Sequence, residues 1–258
     1  MPVARSTSAP ARLGAPPSPM PSYWRAARAP RYSLLFALPL LALYEALALL
    51  FRDEMRGVRN GADVMLKGLA GAVVGRDAPL VVLGLAVLAG AWLVARDMRR
   101  GGRLRWRIFA GMAAESIVLA LAFGLVVGTL TAQILQPFGL MAIAPVDALG
   151  PISILVISLG AGIYEELVFR VLLVGALAWG GRAVLGWRTR TAGIVATVVG
   201  ALVFSAVHYI GAYGDPFELA SFTYRFVGGL AFSAMYLTRG FGITAWTHAL
   251  YDVFLMLR

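Results

Sequence analysis

Seven long apolar stretches limit most strongly what this chain can fold into. A helix that spans a bilayer needs about 20 apolar residues, because each residue rises about 1.5 Å and the hydrocarbon layer is about 30 Å thick. The stretches contain 151 of the 258 residues, and 60% of the chain is hydrophobic against roughly 45–50% in a soluble domain. The chain is therefore predicted to be an all-α, polytopic membrane protein. The predicted spans are Ser33–Phe51, Ala78–Ala95, Ile108–Leu135, Ile152–Trp179, Thr191–Ile210, Phe217–Leu237 and Phe241–Leu257.

The positive charge of the chain follows these spans. Of 23 basic residues, only Arg170 and Arg225 lie inside a span, so the net charge of +10 reports topology and predicts no nucleic-acid partner. The loops of one side receive 15 basic residues and those of the other side six. Because cytoplasmic loops are enriched in Lys and Arg, the N-terminus is predicted to be cytoplasmic, in an integral protein of a bacterial inner membrane.

Three regions are predicted along the chain. Residues 1–32 hold seven of the 13 prolines and no acidic residue, which is typical of a disordered cytoplasmic tail. Residues 33–135 contain the N-terminal transmembrane helices, with a short amphipathic or interfacial helix at Asn60–Val74. Residues 152–257 hold the remaining spans and most of the intramembrane polar groups.

Six of the 13 acidic residues and both histidines lie inside the spans, whereas almost all basic residues lie outside them. An ionisable group in a membrane helix costs several kcal/mol unless it is paired or hydrated, so each is a candidate functional residue. Both histidines of the chain are among them, and there is no cysteine to supply a thiolate. Glu45 and Glu115 fit a packing role or an accessory proton role equally well. The groups within the spans are Glu45, Glu115, Glu165, Glu166, Glu218, His208, His248 and Asp252, of which Glu218 lies near a span end and is expected to reach water.

Spacing divides the clustered groups into roles. Residues four apart share a helix face, so Glu166 can pair with Arg170, and His248 can contact Asp252. Glu165 points about 100° away from Glu166 and can offer a carboxylate to a central site. Taken singly, these groups fit an internal salt bridge or interhelical hydrogen bonds. Because Glu165 is mid-span and His208 near a span end, the helix is expected to be offset or broken near Gly160 and Gly162.

Three motifs occur in order within the spans: EELVFR at 165–170, FSAVH at 204–208 and HALYD at 248–252. They match EExxxR, FxxxH and HxxxN/D, and the region resembles the CAAX protease and bacteriocin-processing (CPBP, or Abi) family of intramembrane proteases, related to type II CAAX prenyl endopeptidases. The resemblance implies a helical core that hydrolyses a peptide bond within the membrane. Asp252 stands where many members have asparagine.

The resemblance also implies roles for the residues. Glu165 would activate the attacking water, and Arg170 would position Glu166. His208 would help to hold that water, while His248 and Asp252 would bind the oxyanion or orient one another. Phe204 would line the substrate pocket.

The sequence alone does not identify a cofactor or a substrate. The family is often described as metalloproteases, and Glu165, His208 and His248 would be the ligands of a zinc ion, yet there is no HExxH motif and a metal-free glutamate mechanism is favoured slightly. The expected substrate is a membrane-embedded or lipidated protein or peptide in the lipid bilayer. A non-catalytic bacteriocin-immunity or scaffold protein and a proton-coupled transporter are the alternatives. The charge distribution places the loop after His208 outside, whereas the resemblance suggests cytosolic access.

Overall fold

The computed structural model describes residues 22–55, 57–100, 103–138, 150–211 and 214–256. These residues form ten α-helices, two short 3₁₀ turns and one π-helical segment, with no strand among them. The helices are α1 Tyr23–Ala27, α2 Pro30–Leu50, α3 Gly61–Val74, α4 Ala78–Arg100, α5 Trp106–Leu135, α6 Pro151–Gly160, α7 Gly175–Ala183, α8 Thr189–Val207, α9 Leu219–Arg239 and α10 Phe241–Met256, with the π segment Ala161–Val174 between α6 and α7.

The predicted disordered tail falls mainly on residues 1–21, which lie outside the described residues. Its last part is helical, because α1 covers Tyr23–Ala27 and α2 begins at Pro30, three residues before the predicted Ser33. Proline suits the first turn of a helix, where its missing N–H costs no hydrogen bond.

Five helical stretches of the described chain are long and apolar enough to cross a membrane. They correspond to the first five predicted spans, although α3 and α4 together form one stretch, Gly61–Arg100. The sixth and seventh predicted spans are helices too, namely α9 and α10. Both fall outside the five for a physical reason: α10 has only 16 residues, and α9 carries Arg225 and Arg239 among several polar side chains. The protein is a polytopic helical membrane protein.

Helix α10 lies at the centre of the bundle. It packs against α2, α5, α6, α9 and the π segment, while α8 pairs with α9. Many large apolar side chains point outward from the surrounding helices, such as Leu49, Leu85 and Leu125, with exposed fractions of 70%, 62% and 74%. A bundle with leucines on its outer surface and ionic groups inside is suited to a lipid environment.

The stretch Pro151–Ala183 is the most enclosed of the five, with 72% of its most apolar part buried. The expected break near Gly160 and Gly162 is not found, because the helix continues and changes from α to π winding at Ala161. π-Helices are rare and occur frequently at functional sites. Gly162 lies against α10 so closely that an added Cβ would meet the carbonyl oxygen of Ala245 and, at 2.7 Å, the Cβ of Ala249.

Helix α3 buries its charged face and exposes its apolar face, the reverse of an amphipathic helix in a soluble protein. Asn60 caps its first turn by accepting a hydrogen bond from the backbone N–H of Ala62 at 2.9 Å. Asp63 and Lys67, on the same face, point into the protein, whereas Leu69 and Val73 are 67% and 87% exposed. The predicted helix at Asn60–Val74 is therefore present, and its charged face packs against the π segment.

Candidate active site

The π segment supplies a buried ion pair. Nε of Arg170 lies 3.3 Å from Oε2 of Glu166, and both side chains are almost completely buried. The guanidinium group is flanked by two aromatic rings, with its Cζ 4.3 Å from the centroid of Phe204 and 5.4 Å from that of Phe232. The spacing of four residues thus brings Glu166 and Arg170 together as the sequence predicts.

Glu166 has a second partner on α10. Nδ1 of His248 lies 2.7 Å from Oε1 of Glu166. A carboxylate can only accept, so this contact favours the His248 tautomer that carries a proton on Nδ1. Nε2 of the same ring faces the other carboxylates, 3.6 Å from Oδ2 of Asp252 and 3.9 Å from Oε2 of Glu165. Phe232 stacks on the ring at 4.1 Å between centroids and holds its plane.

Glu165 differs from its neighbour in both exposure and partners. Its side chain is 12% exposed, against 0% for Glu166. Oε1 accepts a hydrogen bond of 2.9 Å from Nδ2 of Asn60, and Oε2 faces His248. The two adjacent carboxylates therefore have different surroundings: one is sequestered by a cation and an imidazole, and the other is reachable and held by a neutral amide.

His208 follows the last residue of α8 and is partly exposed. Its Nδ1 lies 2.7 Å from the carbonyl oxygen of Phe204. Because a carbonyl oxygen only accepts, Nδ1 is the donor, and a neutral ring then has a lone pair on Nε2. His208 interacts electrostatically with Glu165, and its partial exposure makes it one of the accessible residues of the cluster.

Phe204, the predicted wall of the substrate pocket, packs against residues of the cluster. It is 5% exposed, and its ring lies between the rings of Phe169 and His208 with the Arg170 guanidinium over its face. In this position Phe204 supports Arg170 and His208, and its role as a wall of the substrate pocket stays a prediction. A buried aromatic ring over a guanidinium stabilises the charge that the hydrocarbon would otherwise disfavour.

The suggested zinc ligands do not form a metal site in the part of the chain that the structure describes. No three His, Asp or Glu side chains there are arranged as a metal-binding group. His248 uses one ring nitrogen for Glu166, and Glu165 uses one carboxylate oxygen for Asn60. These hydrogen bonds use Nδ1 of His248 and Oε1 of Glu165 and leave Nε2 and Oε2 for other contacts, so a zinc site formed by Glu165, His208 and His248 stays a prediction.

Glu45 belongs to an ionic cluster at the N-terminal end of α3. Its Oε1 accepts from Tyr164 at 2.5 Å and from Lys67 at 3.0 Å, and its Oε2 accepts from Arg59 at 2.6 Å. Burial alone would lower the pKa of Arg59, but hydrogen bonds to the carboxylates of Asp63 and Glu45 raise it above its ordinary value. A packing role for Glu45 is thus supported by its partners.

Glu115 and Arg225 have partners away from the candidate site. Glu115 forms an ion pair with Arg239 and accepts a hydrogen bond of 2.6 Å from the hydroxyl of Tyr23, joining α1, α5 and α9. Arg225 pairs with Asp215 at 2.5 Å. These pairs satisfy charges within the bundle and at its edge.

Asn60 and Phe232 are site residues that sequence reasoning missed. Asn60 stands more than 100 positions before Glu165, and nothing in its local sequence identifies a partner. A signal was nevertheless present, since Asn60 begins the predicted helix and is the one asparagine in the chain. Phe232 lies among the apolar residues of a span, and only the packing of α9 on α10 reveals its contact with His248.

The fold and the cluster define a polytopic helical membrane protein with an intramembrane Glu, His and Arg site. Residues 147–254 match the family model of the type II CAAX prenyl endopeptidase Rce1-like family. The match confirms the resemblance over this part of the chain and indicates a membrane protease of the CAAX type. Searches of curated proteins and of solved structures found no match.

Proposed function

We propose that this protein is an intramembrane endopeptidase that hydrolyses a peptide bond of a prenylated or otherwise membrane-associated substrate, with Glu165 as the general base. The observation that carries the proposal is the difference in partners and exposure between the two adjacent glutamates. The two carboxylate oxygens of Glu166 contact Arg170 and His248. The side chain of Glu165 is partly exposed, and its Oε2 lies 3.9 Å from an imidazole nitrogen.

The proposed reaction begins with a water molecule between Glu165 and His208. Glu165 takes a proton from this water while the lone pair on Nε2 of His208 accepts its second hydrogen bond. The water oxygen attacks the scissile carbonyl carbon and a tetrahedral oxyanion forms. His248, when protonated on both nitrogens, donates from Nε2 to that oxyanion.

The second half of the reaction returns the proton. The carbon–nitrogen bond breaks, and the protonated Glu165 gives its proton to the leaving amine, so that the carboxylate is regenerated. Glu166 and Arg170 act by orienting His248, because Glu166 accepts from Nδ1. Asp252 lies close to Nε2 of His248 and is proposed to hold the ring until the substrate arrives.

The test uses purified protein in nanodiscs with a farnesylated, internally quenched peptide that ends in a CAAX sequence. Wild-type protein is expected to release the last three residues, and Glu165→Gln to slow the release by about 10²–10⁴-fold, the usual contribution of a general base. Glu218→Gln is the matched control, because that glutamate is exposed before α9. A wild-type protein that cleaves neither this peptide nor its unprenylated form would support a scaffold or immunity function instead.

The same assay decides between a metal-free and a metal-dependent mechanism. Protein stripped with a chelator and checked by metal analysis is expected to keep its activity, because the carboxylate and imidazole groups suffice for the proposed steps. Loss of activity on stripping, with recovery on adding zinc, would establish the metal-dependent mechanism in its place.

A further inference from the structure

We propose that Asn60 is a positioning residue for Glu165, supplied by the N-terminal helices and held there by an ionic cluster on α3. Asn60 is 3% exposed and uses both ends of its amide. Oδ1 caps α3, and Nδ2 donates to Oε1 of Glu165. The proposal rests on the proposed function, and it assigns to this site a residue outside the segment 147–254 that matches the family.

Asn60 is fixed in place from its backbone as well as its side chain. Its N–H donates to the hydroxyl oxygen of Tyr44 at 3.3 Å, and that hydroxyl donates to Oδ2 of Asp63 at 2.8 Å. Gly160 makes room for the contact, since a Cβ there would lie 2.5 Å from the Cβ of Asn60 and 2.7 Å from the ring of Tyr44. Rotation of the amide away from Glu165 would therefore also break its cap hydrogen bond to α3.

The α3 cluster, formed by Glu45, Arg59, Asp63, Lys67 and Tyr164, anchors this helix end. Two carboxylates and two cations alternate in it: Arg59 contacts Asp63 at 2.5 Å, and Lys67 contacts Asp63 at 2.6 Å and Glu45 at 3.0 Å. Tyr164 precedes Glu165 in the chain and donates to Glu45. The cluster thus holds both residues of the contact, Asn60 through α3 and Glu165 through its neighbour Tyr164 in the π segment.

A neutral amide suits the task that the proposed mechanism requires. It directs the carboxylate by occupying Oε1 and leaves Oε2 for the water, yet it adds no positive charge that would weaken the base. The guanidinium of Arg170 acts differently on Glu166. It compensates the charge of that carboxylate, whose role is structural. Asn60 thus orients the carboxylate of Glu165 without neutralising its charge.

The contact can be measured independently of catalysis because Asn60 is the only asparagine in the chain. Protein labelled with ¹⁵N in asparagine side chains and held in micelles is expected to give one pair of side-chain NH₂ resonances. Glu165→Gln is expected to displace this pair, because the charged acceptor is lost. Glu54→Gln, an exposed glutamate before the same helix, is expected to leave it in place. A pair that is identical in wild type and Glu165→Gln would overturn the proposal.

Kinetics with the prenylated peptide separate positioning from helix capping. Serine caps a helix about as well as asparagine but is too short to reach Glu165. Asn60→Ser is therefore expected to lower kcat by about 10- to 100-fold, as loss of an outer-shell partner does, with KM and the unfolding temperature unchanged. Asn60→Ala is expected to lose the same activity and some stability as well.

Each outcome has a distinct meaning. An Asn60→Ser protein with the kcat of wild type shows a cap only and overturns the positioning role. If wild-type protein cleaves no peptide, the proposed function fails, and the resonance of Asn60 in Glu165→Gln still decides whether the contact exists. If Asn60→Ser does not fold, the same resonance comparison decides.

Discussion

Glu165 and Glu166 are adjacent in the chain and have opposite environments. The carboxylate of Glu166 lies between Arg170 and His248 and is inaccessible. That of Glu165 is partly exposed and contacts an amide. Neighbouring residues on a helix point to different faces, so a doubled glutamate can provide a base and its scaffold from one turn.

Arg170 is the residue whose loss is expected to be most damaging to stability. Arg170→Leu would leave Glu166 buried without its cation, and breaking a buried pair costs about 3–5 kcal/mol. Unfolding by denaturant in detergent is the measurement, with the free energy of unfolding as the readout. Arg182→Leu is the control, because Arg182 is exposed on α7 of the same continuous helix. Equal stability of the two variants would contradict a structural role for the pair.

The pairing of Glu166 with Arg170 could be predicted from the sequence, because it depends only on a spacing of four within one helix. The contacts of His248 could not be predicted from the sequence. The residue lies close to Asp252, as the spacing predicts, but its short contact is with Glu166 on another helix. Which of several carboxylates an imidazole meets depends on helix packing, and the sequence does not contain that information locally.

At the level of elements, the contact between the π segment and α10 determines whether the site assembles. Gly162 lies where any side chain would collide with the backbone of α10 at Ala245 and with Ala249, one residue after His248. Small residues at such crossings let two membrane helices approach closely. The approach brings Glu166 and His248 within hydrogen-bond distance.

Gly162→Ala is expected to separate these two helices and lower the unfolding temperature. The collision is with backbone, which cannot move aside, so overpacking of about 1–3 kcal/mol is expected. Gly175→Ala offers the matched control, since nothing lies within 4 Å of a Cβ at that position. Thermal unfolding monitored by circular dichroism measures both. A Gly162→Ala protein as stable as Gly175→Ala would show that the two helices are further apart.

Apolar length predicted a helix at each of the seven spans, both where helices face lipid and where they lie in the centre of the bundle. The first five predicted spans correspond to stretches that can cross a membrane, whereas α9 and α10 are shorter or more polar than the others. A helix in the centre of a bundle is shielded by its neighbours and does not need a full apolar length. The π winding had no signal in the sequence, because hydrogen-bond register is set by packing.

For the whole molecule, the site lies towards one end of the bundle. Asn60 lies in the connection between α2 and α3, and His208 follows the end of α8. By the count of basic residues, both connections are on the same side of the membrane. The distribution of basic residues predicts that this end faces away from the cytoplasm, and that the connection between α7 and α8 is cytoplasmic.

Cysteine labelling in this cysteine-free chain tests the orientation. Ile210→Cys is placed beside the site and Val184→Cys at the opposite end, and these positions are 70% and 75% exposed. In intact cells, an impermeant maleimide is expected to label the first variant and spare the second, while lysed cells label both. The reverse pattern would place the site on the cytosolic side, as the resemblance to prenyl endopeptidases suggests.

The contact between Asn60 and Glu165 also bears on how such proteins can be recombined. The motifs within 147–254 read as a self-contained unit, yet one donor to the carboxylate comes from α3. A chimera that grafts residues 147–254 onto the leading helices of another protein would inherit every motif and lack the amide. Such a chimera is expected to fold around its ion pair and turn over slowly, until an asparagine is restored at the position equivalent to 60.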